Sequence, residues 1–252
     1  MRAGSSSRWI DHDDLVGLVC GDPEIVVFID EQTSLLRIDG LSSPPLAIQE
    51  SLFRSTPPSF DASFAGLQRI HLDPESWIEQ APEWLGGSDL FFEQVLKAHD
   101  WAQRSRWMYE KMVLEPRLTA HWQLGSGGPL QPALLEEIRL ALGSRYGVSF
   151  DSAGFNLYRD GQDAVAWHGD KIRKEIAEPV VALISIGERR RFLMRPKGRG
   201  RSTVFWLGRG DLFVTGGKAQ RKWEHTIPRS AHAGPRISIA FRHGLDTRAY
   251  GR

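Results

Sequence analysis

Cysteine is almost missing from this 252-residue chain: Cys20 stands alone. One thiol allows no intramolecular disulfide and no cysteine-based metal site, and a reducing, cytoplasmic setting is the expectation. No apolar run approaches the length that spans a bilayer, and the opening residues Met1–Asp14 lack the apolar core of a signal peptide, so no membrane partner is expected. Repeats and low-complexity tracts are also missing. Ser55–Ser59, rich in Pro and Ser, is the only linker-like stretch in the first half. Nothing resembles a dimerisation helix, and a monomer is expected.

What is present is ordinary in bulk and uneven in detail. Apolar residues make up 41% and charged residues 25%, values of a globular chain rather than a disordered one. The length admits one large β-rich domain or two small ones. The formal net charge of +1 hides an asymmetry: residues 1–170 hold 13 Lys/Arg against 25 Asp/Glu, and residues 171–252 hold 19 against 6. A positive field this concentrated favours a polyanion, because neutralising phosphates releases condensed counterions. Solvated, scattered arginines are the competing reading.

The strand-like runs Ile25–Ile29 and Leu35–Ile38, separated by turn residues, predict a hairpin. Phe91, Val95, Ala98 and Ala102 recur on one face of a helix predicted over Ser88–Arg104, with Ser88 as N-cap. Leu130, Leu134, Ile138 and Leu142 mark a second helix, with Pro129 ahead of its first turn. After Gly147 the texture changes to short β runs: Phe155–Tyr158, Val180–Ile186, Phe192–Met194, Val204–Leu207, Leu212–Thr215 and Arg236–Arg242. Strands at this spacing without intervening helices argue for a sandwich or barrel. The fold class expected is α+β and β-rich: a double-stranded β-helix, or jelly roll, with the helices packed on one sheet. A wider Greek-key sandwich would read almost alike.

The chemistry concentrates in Trp167-His168-Gly169-Asp170. In extended chain His168 and Asp170 point to one side, and His225 precedes another strand-like run. Two histidines and a carboxylate with open positions are the donor set of non-haem iron(II) oxygenases. By itself a His-x-Asp pair is a weak signal. Downstream, Arg236, Ser238, Ala240 and Arg242 share a strand face, which puts two guanidinium groups on one wall, and a dicarboxylate needs such a fixed fork of donors.

The order of these elements resembles the AlkB family of iron(II)- and 2-oxoglutarate-dependent dioxygenases. Asn156-Leu157-Tyr158 followed by His168-Gly169-Asp170, then Leu183–Gly187 with Arg191-Phe192, then Gly210–Val214, His225, and Arg236 through Arg242 resemble that family's segments in sequence, over roughly residues 107–243. The resemblance implies a dioxygenase core over 107–252, preceded by an N-terminal region, 1–106, that packs on the core and contributes to a substrate lid. It implies Fe(II) held by His168, Asp170 and His225, with 2-oxoglutarate and O2 as co-substrates. Arg236 would clamp the distal carboxylate, with Asn156, Tyr158 and Arg242 lining the same pocket; a buried phenol for Tyr158, a strand-end turn for Asn156 and an ion pair for Arg242 are the plainer roles. Trp122 and Arg191 are the substrate-side residues, Trp122 as a stacking platform or as core. The basic segments Arg189–Arg191, Lys197–Arg201 and Arg221-Lys222 are candidates for phosphate contacts.

The implied reaction is oxidative dealkylation of N-alkylated bases, such as 1-methyladenine or 3-methylcytosine, in DNA or RNA, with release of aldehyde, succinate and CO2. Three departures stand out. Ser238 occupies a position where the family has Asn. Lys171-Ile172-Arg173-Lys174 follows Asp170 where many relatives are acidic. The first hundred or so residues show no resemblance. The alternatives are a 2-oxoglutarate dioxygenase acting on a protein or small molecule, and a catalytically silent jelly roll that binds nucleic acid.

Overall fold

A computed structural model describes residues 56–108, 111–126, 128–170, 172–198 and 200–244, and the backbone of four short strands between residues 9 and 39. The chain divides into two units, Met1–Arg54 and Ser55–Arg252. The division falls at the Pro/Ser stretch. In the first unit Trp9–His12, Leu15–Val19, Val26–Ile29 and Leu36–Asp39 form an antiparallel four-stranded sheet, and its last two strands are the hairpin predicted from sequence.

The second unit is built on two antiparallel sheets. The larger has seven strands in the order Leu118–Gln123, Ser152–Tyr158, Arg236–Arg242, Val181–Gly187, Asp211–Gly217, Ser76–Ala81 and Gln68–Asp73. The smaller has four: Val165–His168, Trp223–Ile227, Arg190–Pro196 and Thr203–Leu207. All six runs predicted after Gly147 are strands, and the fold is a jelly roll. The boundary expected at residue 107 falls inside this unit. Residues 68–81 supply two strands of the larger sheet, and Leu212–Gly217 bonds to Ser76–Ala81 along its length, so cutting at 107 would expose a row of backbone donors and acceptors.

Alternation divides the larger sheet into two faces. Ala153, Phe155, Leu157, Ile184, Ile186, Ile237, Ile239 and Phe241 point to one side, where they pack with helix residues Phe91, Val95, Leu135, Ile138 and Leu142 in the main core. Burying each such side chain stabilises the fold by about 1.5–3 kcal/mol. Tyr158 and Phe213 point to the other side and pack against Phe192, Met194, Phe205, Trp223 and Ile227 of the smaller sheet. Candidate residues Asn156, Tyr158 and Arg236 lie on this second, inner face.

The helices differ in detail from expectation. Helix α1 is Ser88–Ala98, shorter than predicted, and its N-cap is Gly87 rather than Ser88. Gly87 adopts φ 64°, and a β-carbon there would meet the Thr56 carbonyl at 2.2 Å, so only glycine fits. Phe91, Phe92 and Val95 are its buried face, whereas Ala98 is exposed and Ala102 has left the helix to bridge Thr119. Helix α2 is Leu134–Tyr146, closed by Gly147 in the left-handed conformation. Leu130 is buried ahead of it. A one-turn helix α3, Ala219–Lys222, leads directly into the strand that carries His225.

Candidate active site

His168 and His225 sit opposite each other in neighbouring strands of the smaller sheet, with ring centroids 4.3 Å apart. The pairing is irregular. Val165 faces Ile227 and His168 faces His225, so three residues of one strand span two of the other. This bulge brings both Val165, packed in the interior, and His168 to the inner face. Phe192 stacks on the His225 ring at 5.0 Å and 20°, and Met194 is its cross-strand partner, so His225 is walled by apolar groups.

The His168 Nδ1 lies 2.8 Å from the Ala166 carbonyl oxygen. A carbonyl only accepts, so Nδ1 carries the proton and Nε2 keeps its lone pair for an electrophile. Burial lowers the pKa of both imidazoles, that of His225 to about 3, with the neighbouring His168 adding to the effect. Both rings are therefore neutral near pH 7, the form that binds a metal.

Asp170 lies two residues past the end of the strand. Its Oδ1 accepts from Arg242 Nε and Nη2, both at 2.6 Å. Burial would raise its pKa, but the Arg242 charge and the two imidazoles prevail and hold it at about 2. Gly154 makes this pair possible: a β-carbon there would stand 2.7 Å from Arg242 Nη1. Among the described residues no three His, Cys, Asp or Glu side chains converge closely enough to enclose an ion as they stand, since the Asp170 carboxylate is turned onto Arg242.

Arg236 is fully buried on the same inner face. Its Nε donates to Ser185 Oγ at 2.7 Å, while Nη1 and Nη2 have no hydrogen-bond partner. Tyr158 lies below, 5.3 Å from the guanidinium carbon to the ring centroid. Burial lowers the Arg236 pKa to about 10, with the Tyr158 phenol opposing. A buried cation with two unsatisfied donors costs several kcal/mol unless an anion completes it. These donors fit a carboxylate of 2-oxoglutarate, and the paired imidazoles with the nearby carboxylate fit Fe(II).

Other expected residues stand apart from this cluster. Asn156 shares the inner face, but its Oδ1 accepts from Arg117 Nε at 2.8 Å. Arg242 forms an ion pair with Asp170. Trp122 pairs across the sheet with Ala153, whose side chain belongs to the helix-facing core, so its ring packs there and Nε1 donates to the Gly128 carbonyl at 3.2 Å. Its neighbour His121 shares the inner face instead, where burial and the Arg242 charge lower its pKa. Arg191 alternates with inward Arg190 and Phe192 and is exposed on the outer face beside Trp206.

Several basic candidates serve the fold. Arg190 is buried and donates to the carbonyls of Asp160, Asp163 and Pro228. Arg221 donates to those of Ile172, Arg173 and Ile176, and Lys222 pairs with Glu75. Lys171 and Arg199 lie outside the described residues. Ser185 and Gln220 were not singled out from sequence; Ser185 was legible only as a polar residue inside an apolar strand. Two clefts, of about 710 and 420 Å3, are lined by none of His168, Asp170, His225 and Arg236, though Arg189, Arg190 and Arg191 line the smaller, so chemistry rather than volume locates the site.

The jelly roll with paired histidines and a buried arginine defines a class. The chain belongs to the 2OG-Fe(II) oxygenase superfamily, whose family model matches residues 94–242. Its cofactor is Fe(II), and its co-substrates are 2-oxoglutarate and O2. Within that superfamily the chain is AlkB-like. It is 30% identical over 205 residues to alpha-ketoglutarate-dependent dioxygenase alkB homolog 3 of Bos taurus, covering 70% of this chain and 66% of that protein. It is 26% identical over 196 residues to DNA oxidative demethylase ALKBH2 of Arabidopsis thaliana, covering 60% of each. The solved structure titled "The structure of OsALKBH1" superposes with a TM-score of 0.52 at 15% identity, over 70% of this chain and 100% of that one, and shares the fold. Among the described residues no helix is long and apolar enough to cross a membrane.

Proposed function

We propose that this dioxygenase removes alkyl groups oxidatively from ring nitrogens of bases in nucleic acid. The observation that carries the co-substrate part is Arg236, buried with two nitrogens unpartnered on the face that also bears Tyr158. In this reading His168, Asp170 and His225 hold the metal, and Arg236 holds the distal carboxylate of 2-oxoglutarate. With Fe(II) bound, O2 would be the oxidant: one oxygen atom and two electrons' worth of oxidation would go to 2-oxoglutarate, giving succinate and CO2, and the other to the alkyl carbon, whose hemiaminal then expels an aldehyde.

The chain's own residues set the geometry. The Ala166 carbonyl fixes the His168 tautomer with Nε2 available, and Phe192 and Met194 keep water from His225. Arg242 keeps the Asp170 carboxyl ionised and therefore ready to bind a cation. Ser185 orients the Arg236 fork. The nucleic-acid target is supported by the names of the relatives and by the basic bias of residues 171–252. A base must leave the helical stack to reach such a site, and methylation at a pairing nitrogen lowers that cost.

The test is mass spectrometry of single-stranded oligonucleotides carrying 1-methyladenine or 3-methylcytosine, incubated with protein, Fe(II), 2-oxoglutarate and ascorbate. Loss of the methyl group, absent in Asp170→Ala, is expected. Succinate formation without demethylation would move the target to a protein or small molecule.

A further inference from the structure

Asp170 is the second residue past the end of its strand, where sheet hydrogen bonds no longer fix the chain. Among the described residues, one side chain outside the proposed ligand set besides Arg242 reaches it, and it does so at the backbone. Gln220, in α3, is 4% exposed, and its Oε1 accepts from the Asp170 backbone N–H at 3.1 Å. The N–H can only donate, so the amide orientation is determined: oxygen toward Asp170, nitrogen away. On that other side Nε2 donates to Thr215 Oγ1 at 2.8 Å, inside the larger sheet. The Gln220 carbonyl in turn accepts from Lys197 Nζ at 3.1 Å.

The next residue extends the grip. Arg221 donates to the carbonyls of Ile172, Arg173 and Ile176 at 3.1, 2.6 and 2.8 Å, so α3 holds the loop beyond Asp170 at several points. The same turn runs directly into Trp223–Ile227, the strand of His225. One short segment thus references Asp170 to the His225 strand through Gln220, and to the larger sheet through Thr215.

We propose that Gln220 is a positioning residue for metal capture, holding the Asp170 backbone in register with His225 so that the carboxylate needs only a side-chain rotation away from Arg242 to meet an ion. This rests on the reading that His168, Asp170 and His225 bind the metal. A mobile Asp170 backbone would have to be ordered at the moment of binding, which weakens affinity; groups that orient ligands in this way are commonly worth 10–100-fold in metal affinity.

The experiment is titration of the full metal-free chain with Co(II), followed by absorption and calorimetry, on wild type, Asp170→Ala, Gln220→Ala and Thr215→Val, with thermal midpoints measured without metal. Gln220→Ala is expected to bind Co(II) about 10-fold or more weakly at an unchanged midpoint, with 2-oxoglutarate affinity at saturating Co(II) as in wild type. Wild-type Co(II) affinity in Gln220→Ala, beside lost binding in Asp170→Ala, would overturn the proposal and leave the ligand set standing. Equal binding by wild type and Asp170→Ala would remove the ligand set and the proposal together. If Gln220→Ala does not fold, Thr215→Val, which strips the acceptor from Nε2, decides: a loss in the same direction supports the role, and unchanged affinity overturns it.

Discussion

Arg242 meets Asp170 through two nitrogens on one carboxylate oxygen, both at 2.6 Å, and Gly154 leaves the room in which that guanidinium lies. The pair ties the end of one sheet strand to the loop that carries the proposed acidic ligand, and it holds that carboxyl ionised in the metal-free chain.

Acid should therefore act on the metal-free chain through this pair. The folded pKa of Asp170 is about 2, below its unfolded value, so its contribution is complete above the unfolded pKa and is lost as pH falls through about 2. That contribution is on the order of 2 kcal/mol. In Arg242→Met the Asp170 pKa is expected to rise, and the acid limb of unfolding free energy against pH to move upward. Carboxyl NMR titration and urea unfolding read the two; an unmoved Asp170 pKa would show that the pair does not set its charge.

Gly154→Ala tests the same pair sterically. The clash at 2.7 Å is with the end of a flexible side chain, so the fold should survive with a stability change below about 1 kcal/mol. The guanidinium must move, however, and turnover is expected to fall about 10-fold. Steady-state kinetics beside thermal unfolding separates the two effects.

Arg236 should trade stability against co-substrate binding. With two buried nitrogens unpaired, Arg236→Met is expected to leave the chain without 2-oxoglutarate as stable as wild type or more so. It should also raise KM for 2-oxoglutarate by about 100-fold, with a smaller change in kcat. The stabilisation that saturating 2-oxoglutarate gives the metal-loaded wild type, about 2.7 kcal/mol at 100 times Kd, should vanish in the variant. Thermal shift with and without the co-substrate measures this.

Trp122→Ala distinguishes a core residue from a stacking platform. Its ring packs on the helix side, so the substitution is expected to cost about 2 kcal/mol of stability while leaving KM for an oligonucleotide substrate unchanged. A raised KM with unchanged stability would return Trp122 to the substrate side.

What the sequence discloses follows from how each residue meets the core. Val181–Gly187 and Arg236–Arg242 are central strands buried on both faces, and their β-branched runs announce them. Gln68–Asp73 is an exposed, largely polar edge strand without such a run, and so the region before residue 107 concealed part of the main sheet. The order of His168, Asp170, His225 and Arg236 was readable because chemistry fixes residue type. Which face Trp122 and Arg191 occupy could not be read, since a one-residue shift in register reverses a strand's sides; for Arg191 the inward Phe192 beside it was the available clue. Gln220 carried no signal, because a buried amide looks like any polar residue until its partners are known.

The irregular pairing at Val165–His168 makes the bend of this strand, rather than the side its residues face, depend on chain length. Three residues spanning two opposite positions turn an odd separation into a shared orientation. Deleting one residue between Val165 and His168 would leave an even separation of two, which regular pairing already places on one face, so both side chains would stay inward and only the bend made by the bulge would be lost. In this segment a single-codon deletion should therefore be milder than the loss of the imidazole itself.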